Sequence, residues 1–137
     1  MNDIELAKKN LDGHSICLCR EGEIIFDDGR GISPMMRFLS SGRDLKGFAC
    51  ADIIVGKAAA MLFVKAGIVS VYGRTMSEAG KAYLEEYGIP CTCETITDRI
   101  INRSGTDVCP MEKTVAGISD CDEAYEALKA KLEQLRS

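Results

Sequence analysis

The sequence has a single histidine, no excess of cations and no long apolar run. Seventeen Lys and Arg face twenty-one Asp and Glu, a net charge of −4. That balance lacks the electrostatic footprint of a protein that grips a nucleic acid backbone, so no nucleic acid polymer is expected as partner. The longest uninterrupted apolar stretch runs from Ala58 to Val64 and closes at Lys65, far short of the roughly 20 residues a membrane-spanning helix needs. Internal repeats and low-complexity segments are also missing. The opening Met1 to Lys9 places acids before bases with no apolar stretch behind them, which does not read as a secretory signal. The expectation is a cytoplasmic protein with no membrane partner. With 46% hydrophobic and 28% charged residues over 137 positions, residues 1–137 read as one ordinary folded domain with a single core.

Seven cysteines, at 17, 19, 50, 91, 93, 109 and 121, are an odd number without extracellular cues and are expected to be reduced thiols. The pairs Cys17/Cys19 and Cys91/Cys93 lie in strand-like segments, where positions i and i+2 share a face and cysteine packs as a small hydrophobe. Structural zinc sites favour a gap of two to four residues closed by a turn, so these pairs read as core and not as metal ligands. His14, in a loop after Gly13, reads as solvent-facing.

Apolar spacing over Asp3 to Leu11, with Asn2 as cap, predicts a short amphipathic helix. Ser15 to Arg20 and Glu23 to Phe26 flank Glu21-Gly22 and predict an antiparallel hairpin. Ser33-Pro34 opens a short helix to Leu39, and Ser40 to Gly47 is a polar loop. From Ile53 to Ala66 only Lys57 and Lys65 are charged, and Gly67 supplies a stop, which predicts a long buried helix. Ile68 to Tyr72 is a central strand, and Thr75-x-x-Glu78 a capping box for a helix through Glu86 ended by Gly88. Ile89 to Ile96 is the next strand. Arg99 to Asn102 reads as either strand or helix start, Arg103 to Asp107 as a loop. Pro110 opens a helix to Ala116, and Ser119 caps a final helix to the end of the chain. Strands alternating with helices predict an α/β fold with a mixed sheet and helices on both faces.

Three places could carry chemistry. Cys50-Ala51-Asp52 is placed by this reading at the entrance of the long helix, where Asp52 either caps the helix or faces a ligand at the sheet edge. Gly56, one turn on, then marks a close approach of helix and strand. Asn102 to Glu112, rich in small and polar residues before a helix start, could hold an anion on backbone N–H groups with Arg103 as a fork-shaped partner; an ordinary capped loop explains it equally well. Asn102, Arg103, Asp107, Cys109, Glu112 and, from the long helix, Lys57 are the candidate ligand-binding residues. Lys57 and Arg74 also fit simple solvated positions.

The order of elements resembles the cytidine deaminase-like fold, a three-layer α/β/α sandwich with a mixed sheet. The stretches Ala51-Asp-Ile-Ile-Val-Gly-Lys-Ala-Ala-Ala60, Ser77-Glu-Ala-Gly80 and Asn102-Arg-Ser-Gly-Thr-Asp-Val-Cys-Pro-Met-Glu112 resemble an uncharacterised bacterial and archaeal family, a domain of unknown function grouped with that fold. The resemblance covers nearly the full chain and sets Cys50-Ala51-Asp52 where deaminases carry His/Cys-Ala-Glu. It also implies departures. Zinc deaminases hold the metal with His or Cys plus the two cysteines of Pro-Cys-x-x-Cys, whereas the matching stretch Arg74 to Glu78 has no thiol and Pro90-Cys91-Thr92-Cys93 is a strand. Cys50 would be a sole ligand, and Asp52 stands one methylene short of the proton-shuttling glutamate. The expectation is therefore no metal, no cofactor and no zinc-dependent deamination. In its place the former active-site cleft, with Asp52 and Cys50 as the catalytic candidates, would take a nucleotide-like or other small polar ligand. Two alternatives stand beside this: a Cys50 nucleophile activated at a helix N-terminus, and a scaffold or regulatory subunit that uses the apolar long helix as an oligomer interface and binds no ligand. On any of these readings the apolar surface of Ile53 to Ala66 predicts a homo-oligomer.

Overall fold

Asn2 and Glu5 close a reciprocal capping box, Asn2 accepting from Glu5 N at 2.9 Å and Glu5 from Asn2 N at 3.3 Å, and start α1 (Asp3–Asn10). The hairpin follows as expected from a two-residue connection in which Glu21 and Gly22 both take positive φ, the turn that matches strand twist. It joins β1 (Ile16–Arg20) to β2 (Glu23–Asp27). Then come α2 (Ser33–Ser40), β3 (Ala49–Val55), α3 (Lys57–Ala66), β4 (Ser70–Ser77), α4 (Glu78–Glu86), β5 (Cys91–Thr97), α5 (Pro110–Val115) and α6 (Cys121–Arg136). This computed structural model describes residues 1–136.

The five strands form one mixed sheet in the order β2-β1-β3-β4-β5. β1 pairs antiparallel with both β2 and β3, while β3–β4 and β4–β5 are parallel. Helix α1 lies against β1, β3 and β4, closing a small cluster of Ala7, Leu11, Cys17, Cys19, Ala51 and Tyr72. The larger cluster gathers Leu18, Cys50, Val55 and Val71 from the sheet with residues of all five other helices. Helix α3 is its centre: Ala58 to Phe63 are all buried, and the helix is packed by α2, α4, α5 and α6. Its apolar faces are consumed within the chain, so the excess apolar surface that motivated an oligomer built on this helix does not exist.

The main departure from expectation lies at 49–56. These residues form the central strand β3 and a one-residue hinge, and the helix begins only at Lys57 with Gly56 as its N-cap. A strand buried on both faces reads as a continuous apolar run, and this one merges in the sequence with the apolar helix behind it. Cys50-Ala51-Asp52 therefore lies within a strand and not at a helix entrance, and Gly56 is not in a helix interior. Two smaller shifts follow. β4 extends to Ser77, so Thr75 is a strand residue and Ser77 caps α4 by accepting from Gly80 N. The cap of α6 is Asp120, whose Oδ2 accepts from Glu123 N at 2.8 Å, and not Ser119, whose carbonyl accepts from Tyr83. The C-terminal residue Ser137, which the final helix was expected to reach, lies outside the described residues.

Candidate functional site

In open α/β sheets ligands gather beyond the carboxyl ends of the parallel strands. Here that end is formed by the last residues of β3, β4 and β5 and the starts of α3 and α4. Asp52 lies short of it, at the middle of β3 and three residues before Val55. Paired with Ile16 on one side and Gly73 on the other, Asp52 is 6% exposed and is the only buried charged side chain among the described residues. Its Oδ1 accepts from Ile54 N at 3.2 Å, and no described side chain donates to it. Burial without a cation pushes its carboxyl up to about 7, against a lesser opposing effect of the backbone N–H groups of Ile54 and Ile53. The strand is irregular at this point. Cys50 and Val55, five residues apart, face the same cluster, as do Val71 and Met76 on β4, so side-chain alternation slips by one residue in both strands. Gly73 is required there: a Cβ would lie 2.9 Å from Val55 Cγ2.

Cys50, the other catalytic candidate, is fully buried, and desolvation pushes its thiol well above the ordinary range. A nucleophilic cysteine needs exposure and a lowered pKa. Cys50 has neither, and with no helix terminus beside it the nucleophile reading loses its basis.

Lys57 and Glu112 do come together, in a structural contact. The two carboxylate oxygens of Glu112 accept from Lys57 N at 2.8 Å and Ala58 N at 2.9 Å, while Lys57 Nζ donates to Ala116 O at 3.3 Å. Gly56 offers no side-chain cap, so Glu112, brought from α5, satisfies the first N–H groups of α3 and complements its dipole. Two glycines make room. A Cβ on Gly56 would sit 2.5 Å from Glu112 Oε1, and one on Gly80 would sit 2.9 Å from the carbonyl carbon of Gly56. Gly73 and Gly80 were not singled out in the sequence as site residues; their only signal was glycine in otherwise regular elements.

The 102–109 segment is a self-contained ribbon. Ile101 bridges Val108, Asn102 N donates to Asp107 O at 2.8 Å, and Asn102 Oδ1 accepts from Thr106 N at 3.0 Å. Asp107 pairs with Lys113, which holds its carboxyl below the usual range. Cys109 donates its N–H to Ile100 O and packs against the core. Arg103 is exposed. None of these is hydrogen-bonded to Asp52, so the ribbon and the buried carboxylate are separate features. No cluster of three or more His, Cys, Asp or Glu among the described residues is arranged to hold a metal ion. His14 is not free in solvent: its Nδ1 lies 2.6 Å from Asp28 Oδ1 and its ring stacks on Phe26 at 4.1 Å. Cys17 and Cys19 are buried core residues under α1, with Cys19 pushed up to about 12 by desolvation. Two shallow surface grooves lie elsewhere, between α2 and α6 and beside the start of β5.

A mixed five-stranded α/β domain with one buried carboxylate in the middle of its central strand and no cation beside it is the class these features define. Residues 5–132 match the family model of the TM1506-type domain of unknown function, DUF1893, and the chain belongs to that family. Its fold is similar to that of a DUF1893 family protein (TM1506) from Thermotoga maritima, with a TM-score of 0.82 at 22% identity over 90% of this chain and 85% of the other. The search of curated proteins found no match. No helix among the described residues is long and apolar enough to cross a membrane.

Proposed function

We propose that this DUF1893 protein binds a small polar, nucleotide-like ligand against its central strand β3, with Asp52 as the group that exchanges a proton with it. One observation carries the reading: a carboxylate 6% exposed, without a cation partner, midway along the central strand. Such a group is costly unless something compensates it, and a pKa pushed to about 7 suits a group that gives and takes protons near neutrality. The finer assignment to the cytidine deaminase-like sandwich belongs to the same proposal. It draws support from the element order and from helices on both sheet faces, and none from Cys50-Ala51-Asp52, which starts no helix. A cytoplasmic setting suits the seven free thiols.

The test is a thermal-shift panel of nucleosides and nucleotides on the wild type and Asp52→Asn. A ligand at a hundredfold excess over Kd stabilises the fold by about 2.7 kcal/mol. That shift is expected in the wild type and lost in the variant. An equal shift in both proteins would move the site away from Asp52, and no shift with any member would favour the scaffold reading. With α3 buried, that reading moves from the helix to the sheet, where Ile24, Phe26 and Ile54 are left 39%, 55% and 48% exposed.

A further inference from the structure

The sheet has two edges, and they differ. β2 is five residues long, carries Glu23 and Asp27, and ends in a clamp where Arg37 grips Asp27 through two bonds of 3.0 and 2.9 Å. β5 runs seven residues, Cys-Thr-Cys-Glu-Thr-Ile-Thr, with no proline, no lysine and one charge. Val71 N donates to Pro90 O and Val71 pairs with Cys91, as Gly73 does with Cys93. In a parallel ladder this alternation commits residues 90, 92 and 94 to β4 and turns the N–H and C=O of Cys91 and Cys93 outward. No backbone group among the described residues meets them there. Long edges with little charge and no proline are what soluble proteins normally avoid, because they template pairing with another strand.

We propose that β5 is a self-association edge, at which two copies of this chain pair antiparallel about a two-fold axis through Cys93 and join their sheets. The exposed main chain asks for an extended strand, and an isologous contact supplies one from the same surface. Charge disfavours one register. A two-fold through Glu94 would oppose two carboxylates at close range, which destabilises a cross-strand pair. Centred on Cys93, each Glu94 instead faces Thr92 of the second copy and the outward groups of Cys91 and Cys93 find partners. Ile96, 48% exposed, lies beside the new strand pair. The proposal is independent of any ligand at Asp52.

The register gives a charge test on a side chain that is exposed and plays no part in the core. Thr92→Glu sets a carboxylate opposite Glu94 twice by symmetry, and Thr92→Lys sets an ammonium there. Sedimentation equilibrium on wild type and both variants, with circular dichroism confirming the fold, reads the outcome. A wild-type species of twice the 14.9 kDa chain mass is expected, weakened at least about threefold by Thr92→Glu and tightened by Thr92→Lys, as cross-strand pairs of this kind allow. Hydrogen exchange at the amides of Cys91 and Cys93 should slow with rising protein concentration. A wild type that stays monomeric at 100 µM overturns the proposal, and so does a dimer indifferent to both substitutions, which would use another face.

Discussion

Glu112 shows how a single side chain can be misjudged from sequence. As a carboxylate at the start of a short helix it invites a ligand-binding role, yet both its oxygens are spent on the N–H groups of Lys57 and Ala58, and α3 has no other side-chain cap. Glu112→Ala leaves two donors of the central helix without their partner. At about 1–3 kcal/mol for an unsatisfied buried donor, partly relieved by water at this half-buried site, a loss of about 2 kcal/mol is expected. Glu112→Gln keeps one acceptor oxygen and loses the charge, so it should fall between the wild type and the alanine variant. Urea denaturation of the three proteins checks the order. A ligand role for Glu112 would instead leave the apo midpoints equal.

At the level of elements, the close approach of α3 and α4 rests on Gly80. Alanine in place of glycine within a helix normally gains about 1 kcal/mol in propensity. Here the added Cβ would lie 2.9–3.0 Å from backbone atoms of Gly56 and Val55, which cannot swing aside as a side chain could. Overpacking of about 1–3 kcal/mol outweighs the gain, so Gly80→Ala should lower the melting temperature. Gly117→Ala, with nothing within 4 Å of its Cβ, should leave it unchanged or raise it slightly. Differential scanning calorimetry on both variants separates packing from propensity. The same junction marks the limit of what the sequence discloses. The Asn2 cap of α1, the hairpin turn at Glu21-Gly22 and the crossover pattern are written in local residue chemistry and were legible. β3 was not, because a strand buried on both faces has no alternation to betray it and Gly56 carries no label that distinguishes a hinge from a tolerated interior glycine. Asp52 was recognised as a candidate, but its reason for mattering changed: a helix cap is favourable where it stands, whereas a carboxylate inside a sheet is costly. Glu112 and Lys57 were recognised too, and the contact that joins them, 55 residues apart, leaves no trace in local pattern.

For the whole molecule that cost has a signature in the pH dependence of stability. The carboxyl of Asp52 rises from 3.8 to about 7 on folding, so between these values the folded chain holds a proton that the unfolded chain has released. Stability must then fall as pH rises through this window, because it falls wherever the native state binds more protons than the unfolded one. The contribution is fully present below about pH 4 and lost by about pH 7, with an upper limit of about 4 kcal/mol at 1.36 kcal/mol per pH unit. Other groups titrate elsewhere. The carboxyls of Asp27 and Asp107 are lowered by Arg37 and Lys113, so their stabilisation is lost only as pH drops below the ordinary carboxyl range, and the raised thiols and tyrosines act above pH 9. Asp52→Asn keeps an oxygen for Ile54 N and cannot ionise. Its stability should therefore hardly change between pH 4.5 and 7.5, while that of the wild type declines across the same range. The two curves converge in acid and separate toward pH 8, where the variant is the more stable. Denaturant midpoints collected at half-unit pH steps decide it: parallel curves would mean that Asp52 is ionised throughout and already has a partner, and the proton-exchanging role proposed for it would fall with them.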